Sequence, residues 1–503
     1  MKEDKISRRK VLKRTAAITA AGLAGCLGGG GDGGDGGDGG TDGGGTDGGT
    51  DGGGGTDGDG GTDGDGGTDG GTDGGTDGGD GDGGTTAPSG TVKIGVLQPL
   101  SGPLAYYGQQ SVWGFYSGLA YKAGKEPITD ASTGTKTFEM GDVTYELLVR
   151  DTELSSDKAQ QLATDLIQNE EVDLLFGITS SGSAENLIKT VIKPSGTPIL
   201  LGPAASANIT SNPETCAPIV FRTSENTAMD ARSGGKYVAQ HTDISKVYLM
   251  GADYSFGHAV VQNYKTVLQE EGIEIVGEKF VPQGYSEFEG ILRNAQEAGA
   301  EGLVGGFTAQ TLPALITTLL TGNYNMRLFG GFATEITTTI VGQTLQNVLG
   351  KPLTRGKIVG AKLGPFTTRY HWNQYDNDIN SSFIDMYTNA YGKVPDLFTS
   401  GTFAAASAIV QAVQESGSTT GTDIASAMRG MTISETPKGE DAYTFQTYNN
   451  QARSEMTVAD PIPTTDQWSD LWGAAIMPGQ PLARISADNV TIPSDSPNMG
   501  CNL

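Results

Sequence analysis

Histidine and cysteine are nearly missing, at three of each in 503 residues. His241, His258 and His371 stand in no metal-ligand spacing and no CxxC pair exists, so a zinc centre has no support. A GxSxG elbow and a Walker-type loop are absent too; "GITSSG" (177–182) lacks the serine at the elbow position. Arg150-Asp151 and Asp253 close apolar runs, where carboxylates cap turns or bridge lobes more readily than they act as acids or bases. These gaps argue against an enzyme, and no cofactor is implied. Cations are scarce as well: 33 Lys and Arg face 59 Asp and Glu, for a net charge of −26. Phosphate backbones are bound by clustered Lys and Arg, so this balance argues against nucleic acid as a partner. Long apolar runs are also lacking. The stretch "TAAITAAGLAG" (15–25) falls short of the ~20 apolar residues that span a bilayer, and nothing later is apolar enough.

What is present begins with a leader. "SRRKVLK" (7–13) is a basic region holding two adjacent arginines, and the short apolar run follows it and ends at Cys26. Residues 1–27 read as a cleaved export signal. The arginine pair resembles a Tat signal, which exports folded proteins. "LAGC" (23–26) resembles a lipobox, a pattern in which the cysteine, here Cys26, carries lipid and becomes the mature N-terminus.

Residues 28–86 are almost all Gly, Asp and Thr. With no apolar side chain to bury, they do not offset the entropy of ordering, and a disordered, extended tether is expected. Fifteen aspartates sit in the tether, the leader carries +5, and residues 87–503 keep −16. Such an acidic body suits a protein held soluble in high salt, where repulsion is screened. Once Cys26 is assigned to lipid, Cys216 and Cys501 remain. In an oxidising compartment they either pair or stay two separate thiols.

From residue 91, strand and helix signals alternate. "TVKIGVLQPL", "VTYELLVRD", "VDLLFG" and "TPILLG" read as buried strands, and "QSVWGFYSGLAYKAG", "DKAQQLATDLIQNE" and "AENLIKTVIK" as the helices between them. The pattern restarts at "SKVYLMGAD" and runs through "IEIVGEKFVP", "AEGLVGGF" and "MRLFGGF" with three intervening helices. Two late helices follow, "SSFIDMYTNAYG" and "GTFAAASAIVQAVQESG". The expectation is an α/β protein of two Rossmann-like lobes with parallel sheets, joined by several hinge crossings. Residues 91–232 and 356–450 form the first lobe, and 233–355 and 451–495 the second. Ligands of open α/β sheets sit beyond the carboxyl ends of the strands, here in a cleft that two lobes can close.

Several stretches in fixed order carry a resemblance: "KIGVLQPLSGPLAYYG", "VRDTELSSDKAQQLATDLI", "DLLFGITSSGSA", "PILLGPAASANIT", "VFRTSENTAMDA" and "GADYSFGHAVVQNYKTVLQEEG". Over about residues 91–450 the chain resembles the leucine/isoleucine/valine-binding family of ABC-transporter substrate-binding proteins, with the type I periplasmic-binding-protein fold. The resemblance implies a monomeric binding protein outside the cytoplasm, lipid-anchored to the outer face of the cell membrane. It would capture a small carboxylate, amide or amino-acid-like ligand and deliver it to an ABC permease. A ligand-sensing surface receptor domain of the same fold is the alternative.

The resemblance also points to residues. Tyr107, beyond the Ser101-Gly102-Pro103 turn, matches an aromatic placed against the ligand, with Tyr106 beside it. Ser181, with Ser180, matches a carboxylate-binding hydroxyl, and Ala205 and Ser206 match a second loop of donors. Small residues there let backbone N–H groups approach an anion, and serines before a helix also serve as plain N-caps. Phe256, Phe307 and Phe398 match aromatics of the pocket. Phe332 falls where amino-acid binders carry the acid that pairs the ammonium. Glu335, three residues on, replaces that acid only if the loop shifts. An ammonium left unpaired in the pocket would cost several kcal/mol, so an apolar or aromatic carboxylate, or an amide, fits at least as well as a branched-chain amino acid.

Overall fold

The computed structural model describes residues 87–331 and 334–503. The signal (1–27), Cys26, the tether (28–86) and Phe332 lie outside the described residues.

The first sheet is built from β1 (Gly90–Gln98), β2 (Gly134–Met140), β3 (Val143–Asp151), β4 (Leu174–Gly177), β5 (Ile199–Leu201) and β6 (Val220–Arg222), in the order β2-β3-β1-β4-β5-β6. All pairs are parallel except β2 with β3, an antiparallel hairpin turned at Gly141-Asp142. Val92, Ile94, Val96, Leu174, Leu175 and Phe176 are fully buried, as strands covered on both faces should be.

The second sheet starts with β7 (Lys246–Ala252), β8 (Glu274–Val281), β9 (Gly302–Gly306), β10 (Arg327–Gly331) and β11 (Leu363–Thr368). A small antiparallel sheet of β12 (Thr432–Thr436), β13 (Gly439–Phe445) and β14 (Ala452–Arg453) follows in the chain. The chain then adds β15 (Met456–Ala459), the β16 (Pro461–Pro463) and β17 (Ile476–Pro478) pair, and β18 (Ala483–Ile485). The second sheet is ordered β18-β15-β11-β10-β9-β7-β8.

The expected parallel sheets are present, and β2, β15 and β18 join them antiparallel to their neighbours. One expectation needs correction: the first lobe does not resume at 356, because β11 pairs with β10 and β15 in the second sheet. Ile358 and Leu363 pack into the core of that lobe.

The late helices pack on the first lobe. Helix Thr399–Ser416 lies along helix Ala105–Ala123, and glycines allow the approach. A Cβ at Gly114 would sit 2.7 Å from the Thr399 carbonyl oxygen, and one at Gly118 2.5 Å from that of Phe403. Neither backbone can give way, so these helices require the pair of glycines.

The chain crosses between lobes after β6, after β11 and between β14 and β15. A fourth crossing follows β18, where helix Ala487–Val490 leads to a disulfide between Cys216 and Cys501, Cα atoms 6.0 Å apart. Gly500 N–H also donates to Ser211 O (2.9 Å) and Leu503 N–H to Tyr448 O (3.0 Å). Buried polar groups tie the crossings together. Glu225 of the first accepts from Lys438 Nζ (2.7 Å), Tyr443 Oη (2.6 Å) and Ser454 Oγ (3.0 Å), the last lying in the third. Asp230 of the first crossing accepts from Arg369 Nε (3.1 Å) and Nη2 (2.5 Å) of the second.

Candidate functional site

A cavity of about 200 Å³ lies between the lobes, its walls made by residues beyond the carboxyl ends of both sheets. From the first lobe come Leu104 and Tyr107 after β1, Thr179 to Ser181 after β4, and Pro203 and Ala205 after β5. From the second come Tyr254 and Phe256 after β7, Phe307 and Thr308 after β9, and Thr334 after β10.

The two donor loops are set by one side chain. Gln98, the last residue of β1, is fully buried. Its amide donates to Ser111 Oγ and to Gly202 O, both at 2.8 Å, and its carbonyl accepts from Thr179 Oγ1 (2.8 Å). The end of β1 thereby fixes the β4 and β5 loops against each other. Ser180 is the N-cap of helix Ser181–Leu187, its hydroxyl accepting from Ser183 N–H (3.4 Å). Ser181 has a different task. Its Oγ accepts the N–H groups of Ala205 (3.2 Å) and Ser206 (3.0 Å). With its lone pairs engaged, the hydroxyl has its own proton left to give, and it stands on the cavity wall. That arrangement makes Ser181 a donor suited to a carboxylate oxygen.

Ser206 does not line the cavity. It is fully buried, and its hydroxyl has no hydrogen-bond partner among the described residues. Only its backbone takes part in the loop.

The aromatic wall holds Tyr107, Phe256, Phe307 and Phe398. Tyr107 and Phe398 meet edge to face with ring centroids 5.3 Å apart. Tyr107 Oη accepts from Ala309 N–H of the second lobe (3.3 Å), and burial pushes its pKa up, keeping it neutral. Tyr254 and Tyr264 also line the cavity and were not anticipated. Tyr254 stands two places before Phe256 in "YSF", just after β7.

Asp230 and Arg369 were missed as well. Both line the cavity, both side chains are 8% exposed, and each neutralises the other. Burial disfavours the Arg369 cation, but Asp230 outweighs it and the pKa rises. A lone arginine straight after "LGPFTT" is the one signal for Arg369 in the sequence.

Tyr106 and Glu335 lie in a latch between the lobes. Glu335 opens helix Glu335–Leu349, and its carboxylate accepts from Tyr106 Oη (2.9 Å) and Lys393 Nζ (2.7 and 2.8 Å). Its N–H donates to Asp396 Oδ2 (2.9 Å), and Leu397 N–H donates to Oδ1 (2.6 Å). Burial pushes Asp396 up to about 7 despite those bonds, and the nearby Glu335 adds to the rise. Ser255 of the second lobe also bonds Glu185 of the first. Glu335 is thus engaged in holding the lobes together and is not among the cavity's lining residues.

Of the carboxylates expected at strand ends, Asp151 caps a turn, accepting from Leu100 N–H (2.8 Å) and Glu153 N–H (2.9 Å). Asp253 pairs with His258 (2.9 Å). No group of three His, Cys, Asp or Glu among the described residues is placed to hold a metal ion.

A two-lobed α/β body with a cavity at the carboxyl ends of both sheets defines a solute-binding protein. The chain belongs to the periplasmic binding protein family, whose model matches residues 91–463. That family binds solutes and does not catalyse. Among relatives, the chain is 26% identical over 312 residues to a Leu/Ile/Val-binding protein homologue of Brucella abortus, covering 61% of this chain and 71% of that one. Among solved structures, it resembles an ABC-type branched-chain amino acid transporter protein of Rhodopseudomonas palustris (TM-score 0.59, 22% identity, 80% and 98% of the two chains). It also resembles an R. palustris ABC solute-binding protein in complex with benzoate (TM-score 0.60, 20% identity, 82% and 100%).

Proposed function

We propose that this protein is the solute-binding component of an ABC importer and that its cargo is a small organic carboxylate. The observation that carries the reading is Ser181. Its hydroxyl is held by two backbone N–H groups and has a single proton to give, on the wall of a cavity that both lobes build. Tyr107, Phe256, Phe307 and Phe398 supply an apolar surround that suits a ring or branched chain. The solved relative with benzoate shows one such acid held by a similar protein.

In this reading the acid docks on Ser180, Ser181 and the Ala205 loop of the first lobe. The second lobe then closes its aromatics over it. Closure is a population shift driven by the contacts that the ligand makes only in the closed form. Lipid at Cys26 would hold the protein at the outer membrane face, and the 28–86 tether would keep it near its permease. The acidic body would keep it soluble in high salt.

The test is mass spectrometry of small molecules released by denaturing the purified protein, followed by calorimetric titration of each. The expected result is one small acid binding 1:1. A neutral cargo, or an acid whose affinity is the same in Ser181→Ala, would overturn the reading.

A further inference from the structure

Arg222, the last residue of β6, is fully buried. Its Nε donates to Gln451 Oε1 (2.5 Å), Nη1 to Ser206 O (2.6 Å) and Ala204 O (3.3 Å), and Nη2 to Thr210 Oγ1 (2.6 Å). Every one of these acceptors is neutral. The buried cations Arg369 and Lys438 each have a carboxylate, Asp230 and Glu225. Arg222 forms no ion pair among the described residues. Glu185 acts on it only through space and is itself bonded to Ser255. Burial, with help from Arg369, draws its pKa down to about 9, which leaves it charged at neutral pH.

An uncompensated buried charge is costly, so its position calls for a reason. Arg222 lies behind the β5 loop. It grips the carbonyl of the peptide that joins Ala204 to Ala205, while the N–H of that same peptide meets Ser181 Oγ at the cavity wall. The peptide is held at both ends, its positive end toward the cavity. The guanidinium polarises it further in that direction.

We propose that Arg222 is the counter-charge of the bound ligand, acting through the Ala204–Ser206 loop and Ser181, and that the ligand is therefore a net anion. A zwitterion is disfavoured, because its ammonium would find no free carboxylate among the described residues that line the cavity. Asp230 is occupied by Arg369, and Glu335 by Tyr106 and Lys393. A neutral amide would leave Arg222 uncompensated. The inference rests on the carboxylate reading of the cavity and narrows it.

Calorimetry with two acid–amide pairs tests it: benzoate with benzamide, and 4-methylpentanoate with 4-methylpentanamide. Wild type is expected to prefer at least one acid over its amide by about 30-fold or more. Arg222→Gln removes the charge. Thr210→Asp leaves it in place but supplies a carboxylate beside Nη2, where the Thr210 hydroxyl now accepts at 2.6 Å. Each variant is expected to weaken acid binding about tenfold, or about 1.4 kcal/mol, with amide binding within twofold of wild type. A purely structural arginine would shift both members of a pair alike. A folded variant that keeps the wild-type acid-to-amide ratio overturns the inference. Should Arg222→Gln fail to fold, Thr210→Asp decides. Wild type binding amides as tightly as acids, or leucine more tightly than either acid, would instead bring down the carboxylate reading itself.

Discussion

Replacing Ser181 by alanine separates two tasks that the hydroxyl performs at once. Ser181 is 2% exposed, and its Oγ accepts two backbone N–H groups at 3.2 and 3.0 Å. The substitution removes the proton that the proposed carboxylate ligand would accept. A hydrogen bond to a charged group contributes about 1.5–3 kcal/mol, so Kd should rise roughly 10- to 150-fold. It also leaves the N–H groups of Ala205 and Ser206 without their acceptor. Kept dry, each would cost about 1–3 kcal/mol, but water entering the empty cavity offsets most of that. The apo protein should therefore lose only about 1–2 kcal/mol in urea unfolding. Ser206→Ala is the internal control. That hydroxyl bonds nothing among the described residues and is off the cavity wall, so Kd should stay within about twofold and stability should hold or rise slightly. Titration calorimetry on the identified acid, paired with urea melts of the apo protein, reads both quantities. If Ser181→Ala binds like wild type, or Ser206→Ala loses as much, the donor assignment is wrong.

Other expectations follow from the same contacts. Glu335→Gln keeps a partner for Tyr106 but drops the charge that faces Lys393; that lysine is 38% exposed, so screening limits the loss to about 1 kcal/mol. Ligand should leave roughly fivefold faster by stopped flow, and an unchanged off-rate would deny the latch. Asp396 has a folded pKa of about 7 against 3.8 in the open chain, so the folded protein holds a proton that the unfolded chain has released. Its contribution is full below pH ~4 and is lost as pH rises to 7, by up to about 4 kcal/mol; urea melts across that window should show this slope in wild type and a flatter one in Asp396→Asn. Replacing Cys216 and Cys501 by serine opens a link between residues 285 apart and should cost roughly 2–5 kcal/mol of stability. Ligand Kd should stay within about threefold, since neither cysteine lines the cavity, and a large loss of affinity would show the tail acting on the cleft.

Some misses along the chain have plain causes. Strand β2, "GTKTFEM", buries only Phe138 and lies on the sheet edge, so it offers no apolar run to find. Strand β11 contains Gly364 and Pro365, which read as a turn, yet parallel pairing with β10 and antiparallel pairing with β15 hold it in the sheet. Asp230 sits in a four-residue helix and Arg369 lies 139 positions away, so no spacing along the chain announces their pairing.

What the sequence determined by itself was the layered α/β architecture, the strand ends as the place for a cavity, and the small-residue loops around Ser181 and Ala205 that line it. Those depend on period, run length and turn residues, which are local properties. What tertiary structure alone decided was charge. Whether Glu335 is free, whether Asp230 has a partner and whether Arg222 lacks one are questions of distance between remote segments, and the proposed ligand preference rests on them. A carboxylate or guanidinium has the same formula wherever it stands, and its effect is set by what burial brings within about 3 Å of it.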